Sequence, residues 1–120
     1  MIGVDVAQIS RIKSALQNDT FKLRVFTARE IAYCDNRPHP ESSYAGIFCA
    51  KEAASKAIGT GFGKGFMPID IEIGHDALGA PVLVPSGNAR AAFEKYDASV
   101  SISHDGDYAI ATVMLALKQY

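Results

Sequence analysis

The sequence predicts an α+β fold: a single small domain of antiparallel strands with helices packed on one side. Three observations point there. From Ser42 to Gly61, Tyr44, Ile47, Phe48, Ala54 and Ile58 recur at three- and four-residue spacing, the pattern of a helix with one apolar stripe. Ile69, Ile71 and Ile73 alternate with Asp70 and Glu72, and Val100 and Ile102 alternate with Ser99, Ser101 and Ser103, as half-buried strands do. The second of these strands meets Asp105-Gly106, a type I′ hairpin signal, and returns from Tyr108 to about Leu117 as a run apolar on both faces. Such a strand needs cover on both faces, which in a chain this small suggests a partner chain.

The elements follow in order. Ile2 to Val4 reads as a short strand ending at Asp5, and Ile9, Ile12 and Leu16 mark a helix from about Ala7 to Gln17. Asp5 has the spacing to cap that helix. Phe21 to Phe26 fits a second short helix. Thr27-Ala28-Arg29-Glu30 has capping-box spacing and opens a third, running to about Cys34. Pro38 and Pro40 place residues 36–40 in a loop. Ser42 or Ser43 then caps the central helix, and Gly59 and Gly61 end it. Gly59, Gly61, Gly63 and Gly65 form a connector that matches neither the Walker A nor the dinucleotide fingerprint. After the strand Ile69–Ile73, a turn leads into a strand from Pro81 to Val84. Ser86 is placed to cap a helix through Tyr96 with Ala89, Ala92, Phe93 and Tyr96 facing inward.

Composition narrows the function classes. With 120 residues, 48% hydrophobic and 21% charged, the chain fits one domain over residues 1–120 with a core of its own. A formal net charge of −1 argues against a general nucleic-acid binder. No apolar run approaches the ~20 residues that cross a bilayer. The start does not read as a signal peptide, since a short apolar segment meets an acid at Asp5. Cys34 and Cys49 are too few and too far apart for a disulfide framework or zinc site, so a cytoplasmic setting is expected.

From the residues alone, Glu52 and Lys56, one turn apart, favour a solvated ion pair on the outer face of the helix. Lys51 reads as an exposed lysine, and His104, at the end of S-I-S-H, as a surface residue.

The wording of the central segment adds to this. F-C-A-K-E-A-A-S-K-A-I-G-T-G resembles the signature of holo-acyl-carrier-protein synthases, the small 4′-phosphopantetheinyl transferases, which reads approximately R-F-A-x-K-E-A-x-x-K-A-x-G-T-G. The chain follows it from Phe48 to Gly61, with Ile47 where the family usually has arginine. I-G-V-D-V-A-Q-I-S-R-I at residues 2–12 and S-I-S-H at residues 101–104 resemble two further family segments, in the family's order and spacing. The likeness covers nearly the whole chain.

The resemblance implies the 4′-phosphopantetheinyl transferase fold in a homotrimer with sites at subunit interfaces. It implies transfer of phosphopantetheine from coenzyme A to a serine of apo-acyl carrier protein, with Mg²⁺ as cofactor. Asp5 and Glu52 match the metal ligands, and Lys56 matches a lysine near the pyrophosphate. Together these three would be catalytic. Lys51, Gly59, Thr60, Gly61, Ser103 and His104 would contact coenzyme A, and Arg11 and Arg24 the acidic carrier protein. With isoleucine at position 47 a coenzyme A phosphate loses its usual partner, leaving Lys51, Lys64 and His104 as candidate substitutes. The rival reading is a non-catalytic module that binds coenzyme A or carrier protein without turnover.

Overall fold

The computed structural model describes residues 1–119. Strand β1 (Ile2–Gln8) pairs antiparallel with β5 (Tyr108–Leu117), whose other edge pairs antiparallel with β4 (Tyr96–Asp105). Helix α4 (Pro40–Ile58) lies against one face of this sheet. Alternation decides what each face holds. Gly3, Asp5 and Ala7 turn toward α4 together with buried Ala109, Ala111, Val113 and Leu115, while Ile2, Val4 and Val6 turn out to solvent. The helix answers with small residues, Ala50, Ala53, Ala54 and Ala57, so the two backbones come close. They touch at Gly3. A Cβ there would sit 2.6 Å from the Ala57 amide nitrogen and nearer still to the Ala53 carbonyl, so only glycine fits.

Three short helices wrap the other side of α4: α1 (Ile9–Ala15), α2 (Asp19–Val25) and α3 (Ala28–Asp35). Phe26 anchors them, edge-on to Tyr44 at 4.9 Å between ring centroids. A hairpin of β2 (Ile71–His75) and β3 (Pro81–Pro85) forms the second, two-stranded sheet, with Ile71 and Ile73 in the core. Helix α5 (Arg90–Phe93) contributes buried Phe93.

The α+β architecture with helices on one side of the sheet is as expected, and the capping box at Thr27 and Glu30 forms as read. Several local expectations change. The first strand runs on to Gln8, so Asp5 sits inside it opposite Ala111 and caps no helix. α4 starts at Pro40, not at a serine cap, because proline at the first helical position forgoes an amide that would be unpaired anyway. Residues 68–70 form a 3₁₀ turn before β2, which places Ile69 outside the strand. The helix expected after Ser86 is a 3₁₀ turn (Gly87–Ala89) followed by one turn of α5, and Tyr96 already belongs to β4. Ser86 makes no cap bond. The hairpin loop is Gly106-Asp107, one residue later than the Asp-Gly signal, and only Gly106 has positive φ, at 57°. That is the type II′ pattern. β5 is apolar on both faces in sequence, but only one face is covered within the chain.

Both cysteines are fully buried and free, and burial pushes each thiol up to about 12. The cap of α1 comes from far along the chain. The Ile9 amide donates to the Asp107 carbonyl at 2.7 Å, the Ser10 amide to Asp107 Oδ1 at 3.0 Å and Ser10 Oγ to Oδ2 at 2.6 Å. The serine hydroxyl holds the Asp107 carboxyl below its ordinary pKa. A lowered carboxylate pKa stabilises the fold above the unfolded value and loses that contribution as pH falls through the folded one. Asp107→Ala should therefore lower the melting temperature at neutral pH, and its gap to wild type should narrow in acid. A gap independent of pH would show that the carboxylate takes no part in the cap.

Candidate active site

Two residues beyond the Gly3 contact, Asp5 faces α4 from β1. Lys56 Nζ stands 3.0 Å from Asp5 Oδ1 and 3.2 Å from the Val4 carbonyl oxygen. The lysine thus pairs with Asp5 across two elements, not with Glu52 along its own helix. Glu52 lies one turn before Lys56 on α4. Burial holds its carboxyl above the usual range and the Asp5 charge adds to this, while Lys56 partly offsets both. Two acids beside a half-exposed ammonium form a site for a cation and an anion together.

The donor set suits Mg²⁺. Among the described residues no group of three or more His, Cys, Asp or Glu converges, and Mg²⁺ takes one or two protein carboxylates while keeping waters and substrate phosphates. Asp5 and Glu52 are the residues that would hold it.

Lys51 does not belong to this cluster. Adjacent positions on a helix point about 100° apart, so while Glu52 meets Asp5, Lys51 turns into the core. Its ammonium, with no exposed surface, lies 2.7 Å from the equally buried Glu30 Oε1 and donates to the Pro68 carbonyl at 3.0 Å. Burial pushes its pKa down and Glu30 pulls it back up. The expected coenzyme A contact from Lys51 is therefore corrected: the side chain reaches no ligand surface. Ile47 is likewise buried, 2% exposed.

The remaining candidates lie apart. Gly59 and Gly61 take the left-handed conformation just after α4, at φ 89° and 66°. The Thr60 hydroxyl donates to the Gly61 carbonyl at 3.0 Å. His104 Nε2 is 2.9 Å from the Ser42 carbonyl oxygen and packs over Gly46. Those positions are ten and six residues before Glu52, roughly 15 and 9 Å along the helix axis. Ser103 points to the opposite, outer face of the sheet from His104. One chain therefore assembles Asp5, Glu52 and Lys56 but does not bring His104 to them. Arg11 and Arg24 are exposed on α1 and α2. Sequence reasoning passed over Tyr33, Arg37 and His75, which surround a cavity near His104; spread over a helix, a loop and a strand, they share no spacing that could signal it.

A family model described as the 4′-phosphopantetheinyl transferase superfamily matches residues 1–113. The chain belongs to that family, and is an enzyme of its class. Among its relatives, the holo-[acyl-carrier-protein] synthase of Clostridium acetobutylicum is 47% identical over 118 residues, covering 95% of this chain and 94% of that protein. The crystal structure of Helicobacter pylori holo-[acyl-carrier-protein] synthase in complex with coenzyme A superposes with a TM-score of 0.85 at 36% identity, covering 97% of this chain and all of that one (100%). The Neisseria meningitidis holo-[acyl-carrier-protein] synthase structure gives 0.86 at 31% identity, with 96% of each chain covered.

The buried pair predicts a particular pattern of stability. Lys51→Ala leaves the Glu30 charge buried without its partner and should cost about 3–5 kcal/mol. Lys51→Met combined with Glu30→Gln removes both charges and should cost clearly less in denaturant titration. A double variant as unstable as the sum of the single ones would mean that the two side chains do not act as a pair.

Proposed function

We propose that Asp5, Glu52 and Lys56 are the catalytic cluster of a holo-acyl-carrier-protein synthase. The enzyme transfers the 4′-phosphopantetheine group from coenzyme A to a serine hydroxyl of apo-acyl carrier protein and releases adenosine 3′,5′-bisphosphate. The observation that best supports this assignment is the convergence of the three residues from β1 and α4, at 3.0 Å between Lys56 and Asp5, within the residues 1–113 that match the family. Lys56, with its side chain 53% exposed, is free to swing toward the pyrophosphate of the donor. Asp5 and Glu52 would hold Mg²⁺, which when bound would supply positive charge beside the donor's pyrophosphate. Gly59, Thr60 and Gly61 let the donor approach the end of α4 without meeting a bulky side chain.

The enzyme works as a homotrimer. Ile2, Val4, Val6, Ile110 and Met114 form a continuous apolar sheet face, each 43–68% exposed in the single chain, and such a face calls for a covering surface. A second copy also answers the separation of His104 from Asp5: the site is completed between subunits, with His104 at the nucleotide of the donor and Ser103 on the covered face beside it. Arg11 and Arg24 steer the acidic carrier protein. Two buried, free thiols fit a cytoplasmic setting.

Incubation with coenzyme A, Mg²⁺ and apo-carrier protein should add one phosphopantetheine to the carrier by mass spectrometry. Coenzyme A binding without that mass gain would indicate the non-catalytic module instead. Asp5→Ala and Glu52→Ala should each nearly abolish transfer and remove the rise in melting temperature that Mg²⁺ gives the wild type, with strongly non-additive effects. Near-normal turnover of Glu52→Ala in saturating Mg²⁺ would refute the ligand assignment.

Assembly has its own check. Sedimentation should show a trimer, and Val6→Glu, which places a charge on the outer face, should dissociate it and lower activity together. A fully active monomer would overturn the shared site.

A further inference from the structure

The face that α4 turns to the sheet is lined by Ala50, Ala53, Ala54 and Ala57. Small side chains let the backbones close up, but their ridges are shallow, so this contact resists a roll of the helix about its axis only weakly. A roll of about 10° moves a group about 6 Å from the axis by about 1 Å. A directional hold on α4 comes from Lys51, which is fully buried. Its ammonium pairs with Glu30 Oε1 at 2.7 Å, donates to the Pro68 carbonyl at 3.0 Å and stands 5.9 Å from the centroid of the Phe26 ring. Glu30 cannot follow the lysine freely. Its two oxygens also accept from the Thr27 and Ile73 amides, each at 2.8 Å, and so are fixed to the cap of α3 and to β2.

Glu52 follows Lys51 directly, about 100° round the helix and about 1.5 Å along it, so whatever fixes the lysine fixes where the next carboxylate points. Mg²⁺ demands near-ideal octahedral geometry, and a misplacement of about 1 Å at a reacting centre can cost about 100-fold. We propose that Glu30 is a positioning residue for the metal site: by anchoring Lys51 it sets the rotation of α4 that aims Glu52 at Asp5. The proposal rests on the transferase reading, with Asp5 and Glu52 as the Mg²⁺ ligands, and adds to it a buried residue that meets neither metal nor substrate. Glu30 lies on α3, in none of the three segments that carry the family resemblance.

Glu30→Gln combined with Lys51→Met removes the anchor without stranding a buried charge. The Mg²⁺ concentration that half-saturates the rise in its melting temperature should be about 10-fold higher than in wild type, as when a group supporting a metal ligand is lost. The Mg²⁺ concentration for half-maximal transfer should rise with it. Glu30→Asp keeps both charges on a shorter arm and should give a smaller rise, and it carries the test if the double variant does not fold. Phe93→Leu, a core change on α5, lowers stability without touching the anchor and should keep the wild-type Mg²⁺ concentrations. Folded anchor variants that keep the wild-type Mg²⁺ concentrations, or a Phe93→Leu protein that shifts as they do, overturn the positioning role and leave the transferase reading intact. Wild-type protein whose melting temperature ignores Mg²⁺ and that modifies no carrier overturns that reading, and the proposal with it.

Discussion

The Glu30 carboxylate, which has no exposed surface, ties the helices to the second sheet. It accepts from the Thr27 amide at 2.8 Å, from the Ile73 amide at 2.8 Å and from Lys51 Nζ at 2.7 Å. Those donors belong to the cap of α3, to β2 and to α4. Lys51 extends the link by donating to the Pro68 carbonyl, and the Thr27 hydroxyl extends it by donating to Glu72 at 2.8 Å. Burying a carboxylate and an ammonium is costly, and the attraction between them offsets that cost only when the remaining polar atoms also find partners. Here they do: among the described residues no buried side-chain nitrogen or oxygen lacks a hydrogen bond. The pair therefore acts less as a source of stability than as a constraint on register. A shift of α4 by one residue would strand both charges.

What the sequence made legible was mostly local. The Thr27–Glu30 box, the glycine stop at Gly59 and the terminal hairpin each depend on residues within a few positions of one another, so their signals survive without tertiary context. Errors arose where a distant residue took over a local role. Asp107 displaces Asp5 as the cap of α1, which frees Asp5 for the cleft. Glu30 was readable as a capping residue but not as the partner of a lysine 21 positions on. Lys51 reads as exposed because lysines seldom go inside unless paired, and the partner lies outside the helix. The Asp5–Glu52–Lys56 cluster was legible through family resemblance; spacing alone paired Lys56 with Glu52 and missed its partner on β1.

Helix α4 gives the molecule two working ends. Its C-terminal half presents Glu52 and Lys56 to β1, while its N-terminal half runs beneath His104 through Gly46. Between them the helix presents small residues and a buried lysine, so its length spaces two clusters of opposite character, acids with an ammonium at one end and a guanidinium with imidazoles at the other. An apolar outer sheet face beside both ends links catalysis to assembly in the proposed trimer.

Gly3 gives this arrangement its tolerance. Because β1 rests on α4 through main-chain atoms there, the gap between the strand bearing Asp5 and the helix bearing Glu52 is set by backbone thickness and not by the volume of any side chain. Over evolutionary time the interior can drift, exchanging one branched aliphatic for another at Ile73, Val113 or Leu115, without prising the two acids apart. The same freedom is open to anyone redesigning the core for heat resistance. The smallest possible addition, the methyl group of an alanine in place of Gly3, would press on the backbone of α4 and part the strand from the helix.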